Sequence, residues 1–426
     1  MSATGPFDPA LAGSREAGAD WVRQRAMKLL DAVVAVWIFA GGIVLIEPSP
    51  YEVMFLLVLP LAIAAGIGLY RSTFGLLAIL IGFTPFALIA CLQVRFTPIS
   101  EALIFSAVTI FLMLTSYFLA NYLAEETHRR MKIIVGAYTA IAVILAIIGT
   151  LAYLRLMPGA DLFLRYDRAK ATFKDPNVYA PFLVLPAMYA LQRVLLGRGL
   201  RALLSAGIYL VLFIGVFVSF SRGGWGHFAA SSIITLVLVF VLEAGAREKV
   251  RILMMSLLGM GMLIVALAGL LSIPAVNQFL EVRTQSQNYD TGETGRFGRQ
   301  GYALELAIDN PLGIGPGEFR NLRIIEEPHN VYVTVVHVYG WGGGFFFHLL
   351  IAVTLWKACG TLLRPSPYRL IAIPVFATFT MVMAESIIID SDHWRHVYLL
   401  IGLVWGLSTA IANDPRTGAP REQTLI

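Results

Sequence analysis

Four short stretches hold the residue types that could do chemistry: Arg165 to Asn177, Ser219 to Gly224, Gly295 to Asn330 and Asp390 to His396. Each sets arginine among small or turn-forming residues. Arginine stays charged and presents a planar fork of donors, so several arginines converging at one depth suit a phosphate or diphosphate. In Ser219-Phe220-Ser221-Arg222-Gly223-Gly224 the glycines let backbone come close to a ligand beside Arg222. An arginine at the end of an apolar run also reaches for water with no further role. His329, in Glu326-Glu327-Pro328-His329-Asn330, precedes an apolar run and is wet enough to titrate near neutral pH. It is a candidate general base, or else a surface histidine capping a helix. Asp390-Ser391-Asp392-His393-Trp394-Arg395-His396 offers two carboxylates and two histidines. They could bind a cation, supply the base, or cap helix ends and orient the arginines.

These stretches are islands in an apolar chain. Of 426 residues, 58% are hydrophobic and 14% charged, against roughly 45 to 50% and about 25% in soluble domains. With a mean hydropathy of +0.74, a water-soluble globular protein is excluded. A net charge of +5 spread thinly over such a composition excludes disorder and nucleic-acid binding. Apolar runs near the roughly 20 residues that a bilayer requires fall at 29–47, 51–70, 73–93, 101–123, 131–154, 178–195, 201–220, 225–243, 252–273, 331–357, 368–389 and 395–412. Each is about twice the length of a barrel strand. The expected fold is all-α integral membrane, with about twelve transmembrane helices and a long extracytoplasmic loop between spans nine and ten. A cytoplasmic tail is expected over 1–28, spans one to nine over 29–273, an extracytoplasmic catalytic loop over 274–330, spans ten to twelve over 331–412, and a second cytoplasmic tail over 413–426.

The basic residues set the orientation. With both termini cytoplasmic, 19 of the 32 lysines and arginines lie inside and 13 outside, and ten of those 13 sit in the two long loops, 155–177 and 274–330. The short loops thus follow the positive-inside rule, and the four chemical stretches face outward. Glu385 is the main ionisable residue within the spans, where ion-coupled transporters usually keep several. That shifts the chemistry to the outer face. Cys91 and Cys359 lie in apolar stretches and take no functional role.

In the second long loop, Leu304, Ala307 and Ile308 are spaced for a short helix that Asn310-Pro311 stops. Gly313-Ile314-Gly315-Pro316-Gly317 has the look of a phosphate loop, but no strand precedes it, and it reads as a turn. His337 and His348 fall inside the following span and read as packed structural residues.

Taken together and in this order, three of these segments resemble the bacterial O-antigen ligase and polymerase superfamily of membrane glycosyltransferases. The resemblance runs from about 205 to 350. It rests on Ser221-Arg222-Gly223, on Gly295-Arg296 followed by Ala303-Leu304-Glu305-Leu306 and by Asp309-Asn310-Pro311-Leu312-Gly313-Ile314-Gly315, and on His329-Asn330 opening a span. Thr172-Phe173-Lys174-Asp175-Pro176-Asn177 looks like the family's Pro-Asn element. Gln300 stands where an aromatic residue is common, and one residue rather than two separates Pro311 from Gly313. Arg296 is preferred to Arg299 as the family arginine because it follows Gly295.

The resemblance implies transfer of a glycan from undecaprenyl diphosphate to a hydroxyl acceptor, inverting at the anomeric carbon, with no metal, cofactor or nucleotide sugar. It implies Arg222 and Arg296 on the diphosphate and His329 as the base. Arg299, Arg168, Lys174, Asn177, Asn330 and Arg395 are further candidates for substrate contact. The implied partners are the undecaprenyl-diphosphate-linked glycan donor, a lipid A core or growing polysaccharide as acceptor, and membrane lipid. The implied place is the bacterial inner membrane, with the site facing the periplasm. A transporter or flippase of lipid-linked sugars is the competing reading.

Overall fold

Helix follows from the sequence because in lipid every backbone polar group must be satisfied within its own segment. The computed structural model describes residues 9–46, 48–272, 292, 295–322 and 326–414, so the first part of the expected 274–330 loop and the two chain ends lie largely outside the described residues. The helices are α1 (Pro9–Ala40), α2 (Pro50–Ala64), α3 (Phe74–Cys91), α4 (Ile99–Ala124), α5 (Thr127–Tyr153), α6 (Pro176–Phe182) and α7 (Val184–Leu196). After these come α8 (Gly199–Val218), α9 (Arg222–Leu238), α10 (Ala246–Leu271), α11 (Arg296–Asp309), α12 (Val331–Leu363), α13 (Arg369–Glu385) and α14 (Arg395–Asn413). Helix occupies each of the twelve apolar segments, with α6 and α7 sharing the sixth, and among the described residues eight helical stretches, α6 with α7 taken as one, are long and apolar enough to cross a membrane. The chain is an all-α membrane protein.

The first long loop contains a feature that hydropathy does not reveal. Leu164–Arg165 and Arg168–Ala169 form a two-stranded antiparallel hairpin, β1 and β2. Its corner residues Tyr166 and Asp167 both have positive φ, +53° and +56°, the backbone of the tight turn whose twist matches paired strands. This hairpin delivers Arg168 to the interior, where it is 7% exposed.

Between α11 and α12 the chain folds into a backbone clasp. α12 breaks at Gly340, whose φ is +72°, and the turn after α11 inserts there. Ile314 and Gly315 amides donate to the His337 and Val338 carbonyls at 2.8 and 3.2 Å, and the Trp341 amide donates back to Pro311 at 2.9 Å. A Cβ on Gly313 would lie 2.4 Å from the Val338 carbonyl oxygen, and one on Gly340 would lie 2.4 Å from that of Pro311. Both glycines are required by the close approach of backbone to backbone, so the glycine-rich stretch is a structural splice.

Within the membrane, Glu385 is paired. His227 Nδ1 lies 2.8 Å from Glu385 Oε2 and His227 Nε2 lies 3.2 Å from the Thr378 carbonyl. A carbonyl can only accept, so Nε2 carries a hydrogen, and the contact to Glu385 needs a second proton shared by the pair. This buried pair ties α9 to α13 just beneath Arg222.

Candidate functional site

Three helix ends converge around His329. The Val331 amide, at the start of α12, donates to the Ser386 carbonyl just past the end of α13 at 3.0 Å. At the start of α9, a Cβ on Gly223 would lie 2.7 Å from Glu385 Oε1, so glycine there lets α9 close on α13.

Arg222 is the first residue of α9 and is exposed. Ser221 caps the helix by accepting from the Gly224 amide at 3.2 Å, which substitutes for a missing intrahelical bond. Phe220 before it is buried with φ +48°, a strained conformation for a bulky residue. Arg168 braces this turn. Its Nε donates to the Ser219 carbonyl at 2.8 Å and its Nη2 to Asn177 Oδ1 at 2.9 Å. The sequence candidates Arg168 and Asn177 therefore meet, and they position the Arg222 turn.

His329 also adopts a left-handed backbone, φ +55°. Asp390 maintains it: Oδ2 accepts from the His329 amide at 3.0 Å and Oδ1 from the Asn330 amide at 3.1 Å, while Thr334 Oγ1 donates to Oδ1 at 2.6 Å. The imidazole Nδ1 lies 3.5 Å from Asp390 Oδ2, with the side chain one third exposed. Among the described residues nothing hydrogen-bonds to its Nε2. Burial would raise the Asp390 carboxyl, but the bonds from His329 and Thr334 outweigh it and keep the group below the usual carboxylate range.

α11 lies against α12, and Gln300 latches it. Gln300 Nε2 donates to the His329 and Ile387 carbonyls, both at 3.3 Å. The residue that departs from the family pattern thus contacts the base candidate's own backbone. Arg299 is 1% exposed and paired with Glu326, whereas Arg296 is the half-buried first residue of the helix. The buried face of α11 is Arg299, Ala303 and Ala307; Leu304 and Ile308 are exposed.

Asp392 and His393 form a separate unit. His393 Nδ1 donates to Asp392 Oδ2 at 2.9 Å, and Nε2 faces the Phe105 carbonyl and Thr109 Oγ1, each at 3.2 Å. Burial lowers the affinity of His393 for its second proton, but the Asp392 charge and these acceptors raise it above the usual value. With both ring nitrogens engaged inside the protein, His393 is poorly placed to act as a base. Asp390 and Asp392 are committed to different partners, and among the described residues no group of three His, Cys, Asp or Glu gathers for a metal.

Beside this unit a cavity of about 770 Å³ opens, with Lys174, Arg320, His393, Trp394, Arg395 and His396 on its wall. Arg395 Nε and Nη2 reach Glu52 Oε1 at 2.8 and 2.7 Å. His396 is 4% exposed and its Nε2 has no hydrogen-bond partner among the described residues. Glu318 fixes one wall by accepting from the Arg95, Phe96 and Thr97 amides at 3.1, 2.8 and 3.0 Å. Arg222, Arg296 and His329 stand outside this wall. Arg320 links the two regions, with its Nε 3.7 Å from Glu327 Oε1.

The spacing of arginines and histidine, on this convergence of helix ends, can be compared with known proteins. Residues 207–348 match the family model of the O-antigen ligases. That match, over roughly a third of the chain, supports its placement in the O-antigen ligase and polymerase superfamily. The matched segment contains Arg222, Arg296, Arg299, His329 and Asn330 and leaves out Arg168, Lys174, Asn177 and Arg395. No curated protein matches the chain.

Glu327, two residues from His329, is a titratable neighbour whose importance the sequence did not show. Burial, then the charge of Asp390, pushes its carboxyl up to about 7. A carboxyl that binds its proton more tightly when folded stabilises the fold fully below its ordinary value of 4.5, and this is lost as pH rises to about 7. The melting temperature of the wild type in detergent should therefore fall relative to Glu327→Gln across that window. A difference that stays flat from pH 4.5 to 7 would contradict the assignment.

Proposed function

We propose that this chain is an inverting, metal-independent glycosyltransferase that moves a glycan from undecaprenyl diphosphate to a hydroxyl acceptor, by ligation to lipid A core or by joining polysaccharide repeats. The observation that carries this reading is His329, with Nδ1 facing the Asp390 carboxylate and Nε2 unclaimed by protein. An imidazole so arranged can take the acceptor hydroxyl proton while the carboxylate stabilises the cation that forms, the division of labour of other acid-histidine pairs. Arg222, at the positive end of α9, and Arg296, at that of α11, bind the diphosphate. They meet the negative charge that grows on its bridging oxygen as the glycosidic bond breaks. The neighbouring cavity receives saccharide, with Trp394 as an apolar ring and Lys174 and Arg395 as polar contacts.

In this reading the chain spans the inner membrane twelve times with both termini in the cytoplasm, and the 274–330 segment forms the catalytic loop on the periplasmic side. The test is transfer by the purified protein from undecaprenyl-diphosphate glycan, in the presence of chelator, with the anomeric configuration of the product determined. Inverted product at full rate is expected. Dependence on added metal would remove metal independence, a retained configuration would remove direct displacement, and binding of donor without turnover on any acceptor would favour the transporter.

A further inference from the structure

The end of the bundle away from His329 carries a second cavity that this reaction does not use. It encloses about 470 Å³ where the end of α7, the Gly197-Arg198 link, the start of α8 and the first turns of α10 meet. α8 begins on this cavity and ends beside the Ser219 to Arg222 turn. Its 20 residues separate the two places by about 30 Å.

Three arginines line the cavity, Arg198, Arg247 and Arg251, against one carboxylate, Glu248. Glu248 is turned to the backbone, its Oε2 accepting from the Gly245 amide at 2.9 Å. Arg251 is anchored by a 2.6 Å bond from Nη2 to the Leu195 carbonyl, and its Nε is buried without a partner among the described residues. Arg198 and Arg247 are exposed, and no hydrogen bond or ion pair among the described residues engages them. The first turn of α8 has no side-chain cap, so its amides add positive potential. Such a cluster of cationic donors suits a phosphate.

The surroundings say which kind of phosphate. Leu200 and Leu203 on α8, and Val250, Leu253 and Met254 on α10, are each between 58 and 69% exposed. A soluble anion gains nothing from that apolar rim. An amphiphile covers it with acyl chains while its head enters the cavity. We propose that this cavity binds the headgroup phosphate of an anionic phospholipid of the leaflet opposite the catalytic site. A basic pocket between transmembrane helices is the usual form of such a site. The lipid then staples the α7–α8 link to α10, two elements that flank the segments carrying Arg222.

The test is native mass spectrometry of the full chain, delipidated in detergent and titrated with phosphatidylglycerol or phosphatidylcholine. Wild type should bind phosphatidylglycerol with clear preference, and Arg198→Gln with Arg247→Gln should weaken that binding at least about 10-fold, since each lost charge-assisted contact is worth about that much. Glu248→Gln, which keeps the bond to Gly245 and removes the opposing charge, should tighten it. That gain cannot be produced by misfolding. Equal binding of the two lipids, or unchanged binding in all three substitutions, would overturn the proposal. Displacement of phosphatidylglycerol by millimolar inorganic phosphate would assign the cavity to the free anion and overturn the lipid.

Discussion

His329→Asn should lower kcat for glycan transfer about 100- to 10,000-fold, the usual contribution of a positioned general base, and should leave donor affinity close to that of wild type. Asparagine is the informative replacement because His329 sits at φ +55°, where asparagine is tolerated and alanine adds a backbone penalty. The Asp390 bonds to the amides of residues 329 and 330 do not involve the side chain, so the loop retains its shape. Proton removal belongs to the transition state alone. The loss should therefore appear equally in kcat and kcat/KM. A transporter that binds the same headgroup would keep its flux in this variant. Normal transfer by His329→Asn would sink the assigned base, and Glu327, whose carboxyl titrates near 7 beside the same loop, would be the group to examine next.

How much of this was legible in the residues depends on the range of each interaction. Every helix that crosses an apolar run announced itself, because hydropathy is local and lipid leaves the backbone no alternative. The short helix after Gly295 was equally visible, but its face was not. Spacing favoured Leu304, Ala307 and Ile308, whereas the side that meets α12 carries Arg299, Ala303 and Ala307. An arginine on a buried face is unreadable until its partner is known, and Glu326 lies 27 residues away. The same limit hid the role of Arg168. Its residue type suggested a ligand for phosphate, and its contacts to Ser219 and Asn177 make it the brace of the neighbouring turn. Asp390 and Asp392 looked interchangeable in sequence. Distance in the chain again decides: Asp390 orients His329 from 61 residues away, while Asp392 holds its immediate neighbour His393. The glycines at 313 and 340 were countable, but the splice between them joins two segments that only the fold brings together.

Arg222→Ala should cost about 100- to 1,000-fold in transfer, the range found when a single preorganised donor to a developing negative charge is removed. Arg222 is exposed, Ser221 keeps the cap on α9, and the buried brace from Arg168 to Ser219 is untouched. The melting temperature should therefore stay near that of wild type. Arg299→Ala is the contrast, since it strips a residue 1% exposed from its pair with Glu326 and should destabilise the fold. Arg222→Lys should recover only part of the rate, because an ammonium supplies charge without the planar fork that spans two diphosphate oxygens. If Arg222 merely reached for water at the end of its helix, lysine would serve as well as arginine and alanine would cost little. Full activity in Arg222→Ala, at unchanged stability, would return this residue to that plain role and leave Arg296 as the cation of the site.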